Sequence, residues 1–231
     1  VGGGPTGVEL AGAIGEISRY TLARDFRKID PSQTRIILVD AGKRILAAFD
    51  ERLARRAARD LEELGVQIWN ESRVSDIGKG YVSIGQEKIE AETVLWAAGV
   101  EPSPLARFLG GALDRSGRVK VSPDLSLPHD PSVFVAGDLA YLEDATGQPL
   151  PGLAPLAMQQ GTHAGKGILL RIQGRPTHPF KYWDKGMVAT IGRRKAVVQI
   201  GKLRLSGFPA WVMWIGIHIY YLIGFHNKLI V

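Results

Sequence analysis

The strongest constraint on this chain is its first stretch, where Gly2, Gly4 and Gly7 fall at the spacing G-x-G-x-x-G. That spacing belongs to a dinucleotide-binding turn. The first glycine makes the bend out of a strand, the second lets backbone approach a pyrophosphate, and the third lets helix and strand pack closely. Free N–H groups and the positive end of the following helix attract phosphate. Val8, Ala11, Ile14 and Ile17 then share one face at helical period, with Pro5 tolerated in the first turn.

A glycine triplet alone is a weak signal, and the next apolar segment strengthens it. Residues 35–40 form an apolar run ending in Asp40, as in a buried parallel strand. An acid at the end of the second strand accepts hydrogen bonds from the adenosine ribose, which favours NAD(H) over its phosphorylated form. The other reading of Asp40 is a strand-end turn acid. The polar segment 18–33 lengthens the interval between glycines and acid, and reads as an extension of the first helix and its loop. No apolar strand precedes the turn, so the sequence reads as a piece of a longer protein in which no targeting segment can be judged.

Composition narrows the chemistry. With 231 residues and 45% hydrophobic content the chain can build a substantial core. A formal net charge of +6 would suit nucleic acid or an anionic membrane. The sequence lacks the interleaved basic and aromatic residues of an RNA-binding sheet, so no nucleic-acid partner is expected. The absence of cysteine excludes disulfides, thiolate metal sites and dithiol catalysis within this chain. No His/Asp/Glu spacing suggests a metal site, and no serine sits in a nucleophile elbow.

Further along, Asp50 reads as a helix cap and Gly65 as the stop of a helix whose Leu53, Ala57, Leu61 and Leu64 share a face. Residues 66–69 read as a strand, and residues 74–90 as a small antiparallel meander. Residues 93–100 predict a buried strand ending in Ala97, Ala98 and Gly99, where a ligand can approach bare backbone. Pro102 and Pro104 mark a domain break. Strands are expected at 119–121 and 133–138, the latter ending in Gly137-Asp138. A helix is predicted over 156–172, strand structure over 187–205, and an apolar, aromatic run over 207–225.

In order, GGGPTGVELAG, VDAG, WAAGV, VFVAGD and LAPLAMQQG resemble the type II NADH dehydrogenases (NADH:quinone oxidoreductases), within the FAD-dependent pyridine nucleotide oxidoreductase superfamily. The resemblance runs the length of the chain. It implies an α/β, doubly wound architecture: an NADH-binding domain over 1–100 lacking its first strand, the C-terminal part of an FAD-binding domain over 101–172, and a membrane-associating region over 173–231. The family's first glycine triplet, which holds FAD, has no counterpart here.

Carried over by residue, Gly2, Gly4 and Gly7 would hold the NADH pyrophosphate, Asp40 the ribose, and Ala97, Ala98 and Gly99 the nicotinamide. Glu9 would lie near the nicotinamide end, or equally serve as capping-box partner of Thr6 at the T-x-x-E spacing. Asp138, after Gly137, would accept from the FAD ribitol, or cap a helix. Gln159 and Gln160 resemble a quinone-site pair, whose amides suit both quinone carbonyl and quinol hydroxyl, or are a surface pair. Lys185 is either near the flavin and the quinone entrance or a surface lysine.

The resemblance further implies hydride transfer from NADH to FAD and electron transfer to a membrane quinone, without proton pumping. It also implies monotopic attachment at the cytoplasmic face of a bacterial inner membrane. The apolar run would dip into one leaflet beside the basic residues Arg193, Arg194, Lys195, Lys202 and Arg204; the other expectation is a core helix or a homodimer contact. Rival readings are a soluble flavin reductase with a protein acceptor and a non-catalytic nucleotide-binding, membrane-docking module.

Overall fold

The computed structural model describes residues 1–22, 28 and 30–222. The chain forms two compact units: Val1–Gly99 with the segment from Gly186, and Val100–Lys185.

In the first unit, helix α1 (Pro5–Glu16) starts at the glycine turn and runs into a π-helical turn, Ile17–Thr21. Residues 23–27 and 29 of the expected extension lie outside the described residues, and Pro31–Gln33 form a 3-10 turn before the next strand. Strands β1 (Ile36–Val39) and β2 (Val66–Trp69) pair in parallel, with Val39 opposite Trp69. Between them runs helix α2 (Glu51–Glu63), where the Asp50 carboxylate accepts from the Arg52 amide at 2.9 Å and caps the first turn. Its apolar stripe, Leu53, Ala57 and Leu61, is buried with Val8, Leu38, Phe49 and Val66. Each large side chain buried there contributes ~1.5–3 kcal/mol.

β3 (Val74–Gly78), β4 (Tyr81–Ile84) and β5 (Glu87–Glu90) form the expected antiparallel meander. Residues 93–100 depart from expectation. They run extended beside Val1, whose amino group donates to Leu95 O and whose carbonyl accepts from the Ala97 amide, both at 2.7 Å. No strand forms over these residues, and Trp96 and Val100 are exposed, so this is not a buried strand.

The segment from Gly186 forms an antiparallel sheet, β8 (Met187–Gly192), β9 (Lys195–Ile200) and β10 (Leu203–Ser206), in the order β10-β9-β8. Its side chains alternate between two clusters. Ala189, Ile191 and Val197 join the core of α1 and α2, whereas Ala196 and Val198 pack against Ala210 of helix α4 (Phe208–Tyr221). Gly12 of α1 sits so close to β8 that a Cβ there would collide with the Ile191 carbonyl.

In the second unit, β6 (Val119–Lys120) pairs in parallel with β7 (Ala140–Tyr141), and helix α3 spans Ala154–Ile172. Ala106, Val119, Leu127, Val135 and Ala140 form its core. The strand expected over 133–138 is reduced to an isolated bridge between Ser126 and Phe134. Leu125, which faces it, takes a left-handed φ of 74°, and Gly137 at φ 70° turns the chain into a 3-10 turn, Gly137–Leu139. Neither edge stays regular long enough for a ladder.

Candidate functional site

The first unit carries the glycine turn. Gly2 has φ 104° and lies against Ala97, so that a Cβ would meet the Ala97 carbonyl. A Cβ on Gly7 would strike the Gly2 carbonyl, whereas one on Gly4 would meet nothing within 4 Å among the described residues. The three positions thus divide into a bend, a close packing contact and an open approach. Gly4 is also the N-cap of α1, and no side chain among the described residues caps that end. An anion fits at such a helix start.

Asp40 stands beside the turn. One carboxylate oxygen accepts from the Gly3 amide at 2.6 Å and the other from the Gly42 amide at 2.7 Å. Asp40 therefore shapes the turn it was expected to serve as a ribose acceptor; each oxygen retains a second lone pair. The Ala97 carbonyl and the Ala98 amide lie against Gly2, and Gly99 follows at φ 115°.

Glu9 does not partner Thr6. The N-cap is Gly4, so Thr6 lies inside the first turn, and the Glu9 carboxylate accepts from the Thr190 amide of β8 at 3.1 Å. Glu16, one face further along, accepts from the Arg193 amide at 2.9 Å. The carboxylates of α1 fasten it to the sheet behind it.

The second unit holds a cleft of about 280 Å³ lined by Arg118, Gly137, Asp138, Gly152, Leu153 and Ala157. It opens at the start of α3, which has no side-chain cap, and presents the exposed carboxylate of Asp138. Its size suits part of a large ligand, and a carboxylate acceptor beside helix amides fits a polyhydroxyl chain with a polar ring. Arg118, which sequence reading passed over, pairs with Asp114 at 2.8 Å and lies over the Tyr141 ring at 5.0 Å.

The two glutamines have different surroundings. Gln160 is 1% exposed and its carbonyl accepts from the Gly137 amide at 2.7 Å, which fixes the Gly137-Asp138 turn. Gln160 is thus not displayed at a surface. Gln159 clasps the backbone of Trp183: its oxygen accepts from the Trp183 amide and its nitrogen donates to the Trp183 carbonyl, both at 3.0 Å. Lys185 lies over the exposed Trp183 ring at 5.6 Å. The neighbouring Tyr182 hydroxyl is buried without a hydrogen-bond partner among the described residues; burial, with Asp184 nearby, pushes its phenol up.

The expected basic cluster is partly neutralised. Lys195 pairs with Glu63 and Arg204 with Asp50, while Arg194 lies over the Phe208 ring. Helix α4 buries Ala210 against the sheet and exposes Phe208, Val212 and Tyr220. Among the described residues no helix is long and apolar enough to cross a membrane. The end of the apolar run, 223–225, lies outside the described residues.

A glycine turn on a parallel α/β unit, with an acid at the second strand, defines a dinucleotide-binding fold of the Rossmann type. The chain belongs to the pyridine nucleotide-disulphide oxidoreductase family, whose model matches residues 1–161. It is 41% identical over 241 residues to the type II NADH:quinone oxidoreductase Ndh of Mycobacterium tuberculosis, covering 99% of this chain and 51% of that protein. To NdhA of the same organism it is 39% identical, with the same coverage of each. The chain thus spans about half the length of these curated relatives. Its fold matches NDH2 from Plasmodium falciparum in complex with NADH at a TM-score of 0.88 and 15% identity, over 99% of this chain and 62% of that one.

Proposed function

We propose that the protein to which this chain belongs is a flavin-dependent NADH:quinone oxidoreductase. The observation that carries this reading is the division of labour among Gly2, Gly4 and Gly7, which leaves one open backbone approach at an uncapped helix start. The names of the Mycobacterium tuberculosis relatives support the electron acceptor.

In this reading residues 1–100 are the NADH-binding domain, 101–172 the returning part of the FAD-binding domain, and 173–231 the membrane-facing region. Gly2, Gly4 and Gly7 receive the pyrophosphate of NADH, Asp40 the ribose, and Ala97, Ala98 and Gly99 lie along the nicotinamide. Glu9 holds α1 in register with β8 at the nicotinamide end. Asp138 accepts from the ribitol of FAD, and Gly137 with Gln160 sets its position. When bound, FAD supplies the hydride acceptance and the electron transfer that no side chain here provides. Gln159 and Lys185, joined through Trp183, serve the quinone side, where a quinone competes with the Trp183 backbone for the Gln159 amide. The exposed face of α4, with Phe208, Val212 and Tyr220, rests on the surface of a bacterial membrane, on its cytoplasmic side.

Rapid-mixing spectroscopy on the complete protein tests the proposal. NADH is expected to bleach a flavin absorbance that quinone then restores. Bleaching without restoration by any quinone would leave a flavin reductase with another acceptor. A protein that bound NADH but held no flavin would overturn the enzyme reading.

A further inference from the structure

The loop after Asp40 is held together by a residue to which no role has been given. The Arg44 guanidinium donates to three carbonyls of its own loop: Leu46 at 3.2 Å, Ala47 at 2.9 Å and Phe49 at 3.0 Å. Leu46, the first of these partners, takes φ 48°, a left-handed conformation that bulky side chains rarely adopt. Its side chain is 1% exposed, and its amide donates to the Gly3 carbonyl at 2.7 Å. The Gly3 amide is already held by Asp40. Both polar groups of Gly3 are therefore anchored to the 40–49 loop, one by a carboxylate and the other by an amide that faces Gly3 only while Leu46 stays left-handed.

We propose that Arg44 is a positioning residue for the pyrophosphate turn. By tying the carbonyls of Leu46, Ala47 and Phe49 back to its own position ahead of the left-handed bend, it holds the Leu46 amide against Gly3 and keeps the turn in its receiving shape. The inference rests on the reading of the glycine turn as an NADH site. It differs from the usual expectation for an arginine after the second strand, which is direct contact with a 2′-phosphate. Arg44 is turned to its own loop's carbonyls, and its effect on the ligand passes through Leu46 and Gly3. Lysine would not replace it, because an ammonium lacks the planar fork that serves several carbonyls at once.

The test compares ligands with and without a pyrophosphate on the complete protein. Dissociation constants for NADH, NADPH, ADP-ribose and adenosine are measured by titration for wild type and Arg44→Met, which keeps most of the stem but removes the fork. ADP-ribose and NADH are expected to weaken about tenfold, NADPH by the same factor, and adenosine by less than about twofold. The maximal turnover rate at saturating NADH is expected to stay within about twofold, since the change is one of binding. Equal loss for adenosine would make Arg44 a general support of the fold and overturn the proposal. Loss confined to NADPH would make it a direct phosphate ligand, with the same consequence. Should Arg44→Met not fold, Arg44→Lys is measured instead, with a loss of about threefold expected for ADP-ribose and none for adenosine. If wild type binds neither NADH nor ADP-ribose, the NADH site itself is refuted. If wild type binds both and the variants match it, only the role of Arg44 falls.

Discussion

Replacing Gly4 with alanine separates ligand approach from folding at one position. The backbone at Gly4 has φ −72° and ψ 179°, which alanine adopts without strain, and the added Cβ would meet nothing within 4 Å. Alanine is a poorer N-cap than glycine, at a cost of ~0.5–1.5 kcal/mol. It also restricts the unfolded chain, which returns ~0.4–1 kcal/mol. The net change is within about 1 kcal/mol, or roughly 2–4 °C in Tm for a chain of this size. Binding is a different matter. A methyl group in the approach path holds the pyrophosphate off the helix amides, and losing one charge-assisted hydrogen bond costs ~1.5–3 kcal/mol, roughly tenfold to a hundredfold in Kd. The assay is NADH titration beside a thermal melt of the complete protein. Gly7→Ala is the contrast, because its Cβ strikes the Gly2 carbonyl and overpacking of that kind costs ~1–3 kcal/mol or more. A Gly4→Ala protein that melts like wild type and binds NADH equally well would refute the open approach at Gly4.

Gln160→Ala leaves the Gly137 amide without its acceptor in a buried site and is expected to destabilise by ~1–3 kcal/mol in denaturant titration, with weaker flavin retention. Burial pushes the Asp124 carboxyl up, but hydrogen bonds from the Ser126 hydroxyl and amide, Thr177 and Arg171 outweigh it and pull the pKa to about 2. The group is therefore more acidic folded than unfolded, so it contributes ~2 kcal/mol above its ordinary pKa near ~4, lost as pH falls towards 2. Acid titration of Asp124→Asn should lack that component of the slope. Phe208→Glu with Val212→Glu, both at exposed positions of α4, should leave Tm within a few degrees and abolish cosedimentation with anionic vesicles, since each side chain loses ~1.5–3 kcal/mol of apolar transfer. Unchanged vesicle binding would move the membrane contact away from α4.

Local chemistry was legible where its cause lies within a few residues. The Asp50 cap, the Gly65 stop and the apolar stripe of α2 all stem from neighbours in sequence, as do the hairpins of β3 to β5. The parallel pairing of β1 with β2 was also readable, because a strand, helix and strand in succession close in only one sense. Residues 93–100 have the composition of a buried strand but not its circumstances. Burial depends on what lies alongside, which composition does not state, and Trp96 and Val100 are exposed.

The functional side chains show the same limit more sharply, because residue type constrains what a group can bond but not which partner reaches it first. Thr6 and Glu9 have capping-box spacing, yet the helix begins at Gly4, and Glu9 finds an amide 181 residues away. The Gln159-Gln160 pair was legible as two amides near a helix start. Consecutive helical positions point about a quarter-turn apart, so one side chain is buried on Gly137 and the other reaches out to Trp183. A quinone site that needs an amide can therefore use Gln159 directly and Gln160 only through the turn it holds. Arg44 was the least legible of all. In sequence it is one more cation beside Lys43, and only its three carbonyl partners make it a clamp on the loop.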